Sequence, residues 1–313
     1  MSMLSGKDII FEGRSMLMAG PLPRRQMQLL RAEVREGFGK ITEIDVEFLS
    51  NEIDIDLDDV LGHPITLGMQ TEDGEYRYFV GHCIEAAFEG TYEGLGHYTA
   101  SLRGWPWFLT RTQDCRIFQE KSALDIIKEI FGDFGFSDYV DGTTGTYATR
   151  TYCVQYRETP WDFVYRLMVE EGIYFYFAYE NGRDILIMVS DTSTHESMSP
   201  RSDLMFYFKE DMVRHRQDHV FDWRCGGAVR PGKVTLNDYN FETSTANMRA
   251  PDAQPTGKHG VKDYEVYDYH GRFGERERGR DLARARMSAL AAEHKRDRGL
   301  GNVRHMTVGK RFT

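Results

Sequence analysis

From Ile44 onward the chain repeats one constraint: apolar residues at every second position, interrupted by turn residues. Ile44, Val46 and Phe48 alternate with Asp45 and Glu47, and Ile53, Ile55 and Leu57 alternate with Asp54 and Asp56. Ile65, Leu67 and Met69 keep the period as far as Asp73-Gly74, which reads as a hairpin turn before Tyr76, Tyr78 and Val80. A further run over 83–88, a glycine-rich turn over 90–96 and a run over 97–102 complete the series. Successive side chains of a strand point to opposite faces, so each run can bury one face and wet the other. Short strands with turns at short spacing predict a small antiparallel barrel or sandwich; the segment before Ile44 reads as irregular.

The period changes at the Trp105-Pro106-Trp107 corner. Ser122 is a helix N-cap with Asp125 three residues on, and Ala123, Ile126, Ile127, Ile130 and Phe131 follow at helical spacing up to Gly132. A second helix starts with Thr159 as cap, Pro160 at its first position and Asp162 in its first turn; Gly172 stops it. Ile173-Tyr174-Phe175-Tyr176-Phe177, Asn181-Gly182 and Ile185-Leu186-Ile187-Met188 form a strong hairpin signal. The β pattern returns over 206–208, 219–223 and 234–241, followed by a polar connection over 246–260. A charged helix is expected over 276–296, with Leu282, Ala285, Ala289 and Ala292 on its buried stripe. Three regions result: 1–104 as a first β domain, 105–202 as an inserted α+β domain, and 203–313 as a second β domain with a long connection and a helix. The uncapped end at Thr313 reads as a cut in a longer chain.

Composition bounds the function. The 313 residues allow about two domains, and 17 Tyr, 19 Phe and 4 Trp suit sheet faces and protein contacts. A net charge of −10 argues against nonspecific nucleic-acid binding, which draws on cations neutralising phosphates; the basic residues after Arg272 are mixed with acids and read as a solvated helix face. Cys83, Cys115, Cys153 and Cys225 form no C-x-x-C pair, as expected of reduced cysteines in a cytosolic protein. No transmembrane span or Sec signal is legible, so export would need another route.

Candidate chemistry is sparse. Asp54, Asp56, Asp58 and Asp59 lack the glycine and closing glutamate of a calcium loop and read as an outward acidic strand edge. His215 and His219 have the i, i+4 spacing of helical metal ligands, but Arg216 stands where a zincin needs glutamate, and strand spacing would hold the two ~13 Å apart. Glu170-Glu171 could be read as a glycosidase pair, but at a helix end they read as contacts to a neighbouring domain or chain, or to water. No nucleophile elbow, phosphate loop or dinucleotide fingerprint is present. No catalytic residue, metal or cofactor is therefore expected. Trp105, Trp107, Trp161, Tyr174 and Tyr176 are the candidate protein-interaction residues; domain packing is the plainer reading of the tryptophans.

The order of elements from Leu57 to Phe177 resembles the VgrG tail-spike proteins of type VI secretion systems and the related baseplate hubs of contractile phage tails, the late control protein D group. Matching residues include Leu61-Gly62, Pro64, Leu67, Gly81, Tyr98, Leu102, Pro106 and Leu109, then Arg116-Ile117-Phe118-Gln119 ahead of Ile126-Ile127. Most specific is Gln155-Tyr156-Arg157-Glu158-Thr159 leading into Trp161-Asp162-Phe163-Val164-Tyr165-Arg166-Leu167 and Glu170-Glu171-Gly172-Ile173-Tyr174 with Tyr176-Phe177. Asp238-Tyr239, Phe241, Tyr264-Glu265, Tyr267-Asp268-Tyr269 and Gly271 are weaker echoes. The family's needle and OB-fold neck have no counterpart here, and Trp105-Pro106-Trp107 is bulkier than its pattern.

The resemblance implies an α+β, mainly β, phage-tail hub-like fold: two small similar antiparallel β-barrels with an inserted α/β segment. It further implies a homotrimer that imitates six-fold symmetry and caps a hexameric tail-tube protein. Baseplate components and effector or adaptor proteins would be further partners. The chain would be cytoplasmic before firing and then exported by the contractile machine. The expected role is the structural hub of a membrane-puncturing spike, with a phage or prophage baseplate hub as the alternative. A hydrolase built on His215/His219 or the paired glutamates, and a binding module built on the tryptophans, are the rival classes.

Overall fold

The computed structural model describes residues 15–23, 26–208 and 217–313. They divide into two compact units: the described residues up to 169 with 173–204 and 303–313, and 170–172 with the described residues between 205 and 302.

The first unit opens with six strands: β1 (Met16–Ala19), β2 (Gln28–Arg35), β3 (Glu43–Ser50), β4 (Pro64–Gln70), β5 (Tyr76–Tyr92) and β6 (Leu95–Arg103). They form one antiparallel sheet in the order β1-β4-β5-β6-β3-β2, and its two edge strands also approach each other, so the sheet curls. The alternation seen in the sequence sets the register. Ile44, Val46 and Phe48 of β3 lie opposite Leu102, Ala100 and Tyr98 of β6, and all six side chains are buried. Phe48 and Tyr98 stack with ring centroids 5.3 Å apart. Fully burying side chains of this size contributes roughly 1.5–3 kcal/mol each, so a one-residue slip that turned them outward is strongly disfavoured.

Several sequence expectations need correction here. The two runs expected over 76–80 and 83–88 are one strand of 17 residues, bent by register shifts at Cys83/Glu85 and Phe88/Gly90. The start read as irregular contains β1 and β2; in β2, Gln28-Leu29-Leu30-Arg31 breaks the period-two signal. The run through Ile53, Ile55 and Leu57 is not a strand. It leads into a 3-10 turn, Leu57–Asp59, capped by Asp56, whose carboxylate accepts the Asp58 N–H at 3.0 Å. Aspartate bonding its own backbone competes with a strand ladder, so the acidic cluster is a turn and not a strand edge.

The rest of the first unit surrounds a second core of Trp105, Phe118, Ile126, Ile127, Phe131, Phe163, Leu167, Phe175 and neighbours. Helix α1 (Ala123–Asp133) carries the expected capping box: the Asp125 N–H donates to Ser122 Oγ at 3.2 Å and the Ser122 N–H to Asp125 Oδ2 at 3.2 Å. It runs one residue past Gly132, and Gly135, at φ +77°, takes the left-handed turn that follows. Helix α2 (Pro160–Glu171) begins where the Thr159 hydroxyl accepts the Asp162 N–H at 3.0 Å. The hairpin Tyr174–Glu180 and Arg183–Val189 turns on Asn181 and Gly182, both at positive φ. Its second strand also pairs in parallel with Tyr139–Gly142.

In the second unit, the strands expected to return after Asp203 lie in two three-stranded sheets. One joins Met205–Phe206, His219–Gly227 and Lys295–Gly301; the other joins Ala250–Ala253, Lys233–Asn237 and Glu265–Tyr269. The 234–241 run ends at Asn237, where Asp238 and Asn240 bond neighbouring backbone instead of continuing a ladder. The 246–260 connection holds the short strand Ala250–Ala253. Helix α3 (Arg276–Ala292) stops before 296, and residues 295 and 296 are strand. Its buried stripe is Gly279, Leu282, Ala283 and Met287, while Ala289 and Ala292 are exposed. Burial selects the larger Leu282 and Met287 over methyl side chains, which rotates the stripe from the one expected.

One buried carboxylate ties the curled sheet to the insertion. Asp184, 2% exposed, accepts the Trp105 N–H at 2.7 Å and lies 3.5 Å from His82 Nε2. Asp184→Ala would orphan that N–H and should cost about 1–3 kcal/mol in denaturant unfolding. Asp184→Asn, which keeps an acceptor oxygen, should lose less; equal losses for the two variants would refute the hydrogen-bond account.

Candidate assembly surface

The five candidate interaction residues separate by burial. Trp105 is 1% exposed, its ring stacked on Phe136 at 4.6 Å and edge-on to Phe131 at 4.9 Å, with Nε1 donating to the Asp138 carbonyl at 3.2 Å. Trp161 is 8% exposed and packs edge-on against Phe175 at 5.4 Å. Both rings are packed into the core and leave little surface open, in line with the plainer, domain-packing reading of the tryptophans. Trp107 is half-buried; the Arg111 guanidinium lies 4.4 Å from its ring centroid, so one face is occupied by a cation.

Tyr174 and Tyr176, both half-buried, project from the same face of the Tyr174–Glu180 strand. They meet Phe38 at 5.5 and 5.9 Å, and His195 sits among the three rings, 5.3 Å from Phe38. The Tyr174 hydroxyl and His195 Nε2 share a hydrogen bond of 2.8 Å. Burial, with Asp191 and Tyr176 nearby, pushes the Tyr174 phenol above its ordinary value, so it stays protonated. Phe38 and His195 carried no sequence signal: one lies between two glycines, the other in a polar loop, and only the fold brings them to the tyrosines.

A second polar constellation escaped the sequence reading. Glu36 pairs with Arg77, whose guanidinium lies 4.4 Å from the Phe79 ring. Tyr179 shares a 2.7 Å hydrogen bond with Thr42 Oγ1. Burial raises the Glu36 carboxyl above its ordinary value, while Arg77 opposes the shift. Burial is also what pushes the Tyr179 phenol far up. The arrangement is an internal ion pair supporting the sheet, with the Tyr179 and Thr42 hydroxyls bonded to each other.

The sites weighed for chemistry fall as follows. His215 lies outside the described residues. His219 is 1% exposed, packed on Tyr207 and Phe221, with Nδ1 2.7 Å from the Gln217 carbonyl. Glu170 accepts from Arg272 at 2.6 Å, and Glu171 pairs with Arg278. Among the described residues no three His, Cys, Asp or Glu side chains are grouped to hold a metal ion, and no helix is long and apolar enough to cross a membrane. All four cysteines are free; burial pushes the Cys83 thiol up to about 11. A groove of about 280 Å³ on the outer face of the curled sheet is lined by Arg31, Glu33, Asp45, Glu47, Glu85 and Glu89, among others.

Two predictions separate these roles. Arg77→Leu leaves Glu36 buried without its partner and should cost about 3–5 kcal/mol near neutral pH. Glu36 already titrates above its ordinary 4.5, and losing Arg77 raises it further. The variant should therefore be least impaired below about pH 4.5 and lose stability as pH rises through the folded value; a loss independent of pH would refute this. Trp105→Ala should cost about 3–5 kcal/mol and Trp107→Ala about 1 or less, by thermal unfolding.

Comparison with known proteins places this geometry. Residues 35–313 match the phage tail baseplate hub (GPD) family. The chain is 39% identical over 298 residues to the type VI secretion system spike protein VgrG1a of Pseudomonas aeruginosa, covering 93% of this chain and 45% of that protein. It is 38% identical over 293 residues to VgrG1b of the same organism, covering 93% and 39%. The chain thus spans less than half the length of these relatives. Among solved structures, a Neisseria meningitidis tail protein aligns with a TM-score of 0.60 at 12% identity, over 91% of this chain and 79% of that one. The Escherichia coli c3393 protein, a type VI secretion component similar to phage T4 tail proteins gp27 and gp5, aligns at 0.58 and 20%, over 68% and 56%. The fold is mainly β and shared with tail hub proteins. The chain belongs to the phage tail baseplate hub (GPD) family.

Proposed function

We propose that this chain is the hub region of a spike protein in a type VI secretion system: a structural, non-enzymatic part that assembles as a homotrimer. The observation that carries the reading is the 39% identity to VgrG1a along 93% of the chain. In this reading the trimer caps a hexameric tail tube, contacts baseplate components, carries effector or adaptor proteins, and leaves the cytoplasm when the machine fires. The regions 1–104, 105–202 and 203–313 act as its first β module, its insertion and its second β module. Three hydrophobic cores, centred on Phe48 and Tyr98, on Phe131 and Phe163, and on Leu236 and Met287, support that division. Trp107, Tyr174 and Tyr176, which keep partly open rings, are the candidate contacts to partner proteins.

The same fold would serve a phage or prophage baseplate hub, and the likeness to tail proteins favours keeping that as the second reading. Light scattering after size exclusion should give three times the 36.2 kDa of one chain. A monomer at high concentration would count against the hub reading. To separate the two machines, deleting the coding region in the source bacterium should abolish contact-dependent secretion; loss of phage particles instead would select the second reading.

A further inference from the structure

We propose that a cleft on the first unit, between the β2–β3 connection and the start of helix α2, takes an arginine side chain presented by a partner protein. The site itself is independent of the trimer; the choice of a protein as the source of the arginine rests on the hub reading and deepens it.

The cleft has a volume of about 510 Å³, within the range of roughly 300–1,000 Å³ usual for ligand sites. One wall is aromatic. Trp161 and Tyr165 stand one turn apart on α2 with ring centroids 6.4 Å apart, and Tyr165 is 42% exposed. The other wall is the chain over 35–43. It is held at Gly39, whose N–H donates to the Phe175 carbonyl at 2.8 Å. Gly39 takes φ +65° and leaves room beside the Tyr165 hydroxyl, where a Cβ would stand 3.7 Å away.

Charge decides the class of ligand. Glu36, Glu43 and Asp162 line the cleft together with Arg35 and Lys40. Asp162 is engaged in capping α2 through Thr159, and Glu36 turns one oxygen to Arg77. Arg35 is shared among Glu33 at 2.6 Å, Asp45 at 3.0 Å and Glu43 at 3.6 Å, so Glu43 holds the most distant share. Lys40 lays its stem along Gly37 and, among the described residues, makes no ion pair. Glu43 is thus the carboxylate least neutralised, and it lines the same cleft as an open aromatic ring. Together they suit a cation, and a guanidinium above an ammonium: it is planar, stacks on a tyrosine face, and bonds a carboxylate through two parallel N–H groups. Lys40, exposed at the mouth, would oppose the incoming charge.

The test titrates the full 313-residue chain, followed by saturation-transfer NMR. The probes are a blocked Ala-Arg-Ala tripeptide, the same peptide with glutamine in place of arginine, and acetyl-arginine amide. The arginine peptide should bind with a Kd on the order of 1 mM, and the glutamine peptide about tenfold more weakly. Tyr165→Ala and Glu43→Gln should each weaken the arginine peptide about two- to fivefold, and Lys40→Gln should tighten it about twofold. Tyr165 and Lys40 are exposed and Glu43 is half-buried, so these variants keep the fold. A glutamine peptide that binds equally, a Tyr165→Ala or Glu43→Gln variant that binds as the parent does, or a Lys40→Gln variant that binds more weakly overturns the site. Acetyl-arginine amide binding more tightly than the tripeptide overturns the protein source. A monomer that binds the arginine peptide with these sensitivities supports the site while the hub reading falls; a trimer that does not bind it overturns the site and leaves the hub standing.

Discussion

Asp184 is the point on which the first unit turns. A carboxylate 2% exposed must find partners, because an ionised group withdrawn from water is costly unless it is hydrogen-bonded. It takes the Trp105 N–H, and Trp105 lies two residues past the end of β6, where the chain leaves the curled sheet. Five residues before Asp184 in the hairpin, Tyr179 reaches Thr42, just ahead of β3, and lies 5.8 Å from Phe79 of β5. The hairpin therefore holds the sheet's exit and its inner strands together, and the insertion's orientation follows from these few polar contacts.

Around that junction the aromatic side chains divide their labour. Trp105 and Trp161 are spent on packing, as flat rings with large apolar area should be when a core is within reach. The rings left partly open lie elsewhere, around His195 and along the second unit's strands. Exposed aromatic rings on strand edges suit contacts with other proteins, and the family the chain belongs to is one of baseplate hubs. The buried Glu36–Arg77 pair is likewise spent internally: burial raises the Glu36 carboxyl while Arg77 opposes the shift.

Charges on the second unit's strands are largely matched within the chain. Glu265 pairs with Lys233 and Arg249, and Asp268 with Arg286. Ion pairs at a wet surface contribute little individually, so the fold of this unit rests on its core of Val234, Leu236, Ala283 and Met287.

Periodicity alone determined β3, β4 and β6, α1 with its capping box, α2 and the Asn181-Gly182 hairpin. In each, the local preference of the residues and the burial of one face agree. The same sequence carried the resemblance to tail hubs, because the run from Gln155 to Phe177 fixes residue types through a strand, a helix cap and a hairpin in succession. Tertiary structure decided the rest. The run at Ile53 became a turn because Asp56 bonds its own backbone, the stripe of α3 rotated to bury Leu282 and Met287, and residues 295 and 296 left the helix to pair with a strand. Asp184, Phe38, His195 and Glu36 acquired partners up to a hundred residues and more away from them. No local pattern encodes those contacts, because hydrogen bonds and ring contacts across such separations exist only once the sheets and helices have closed on one another.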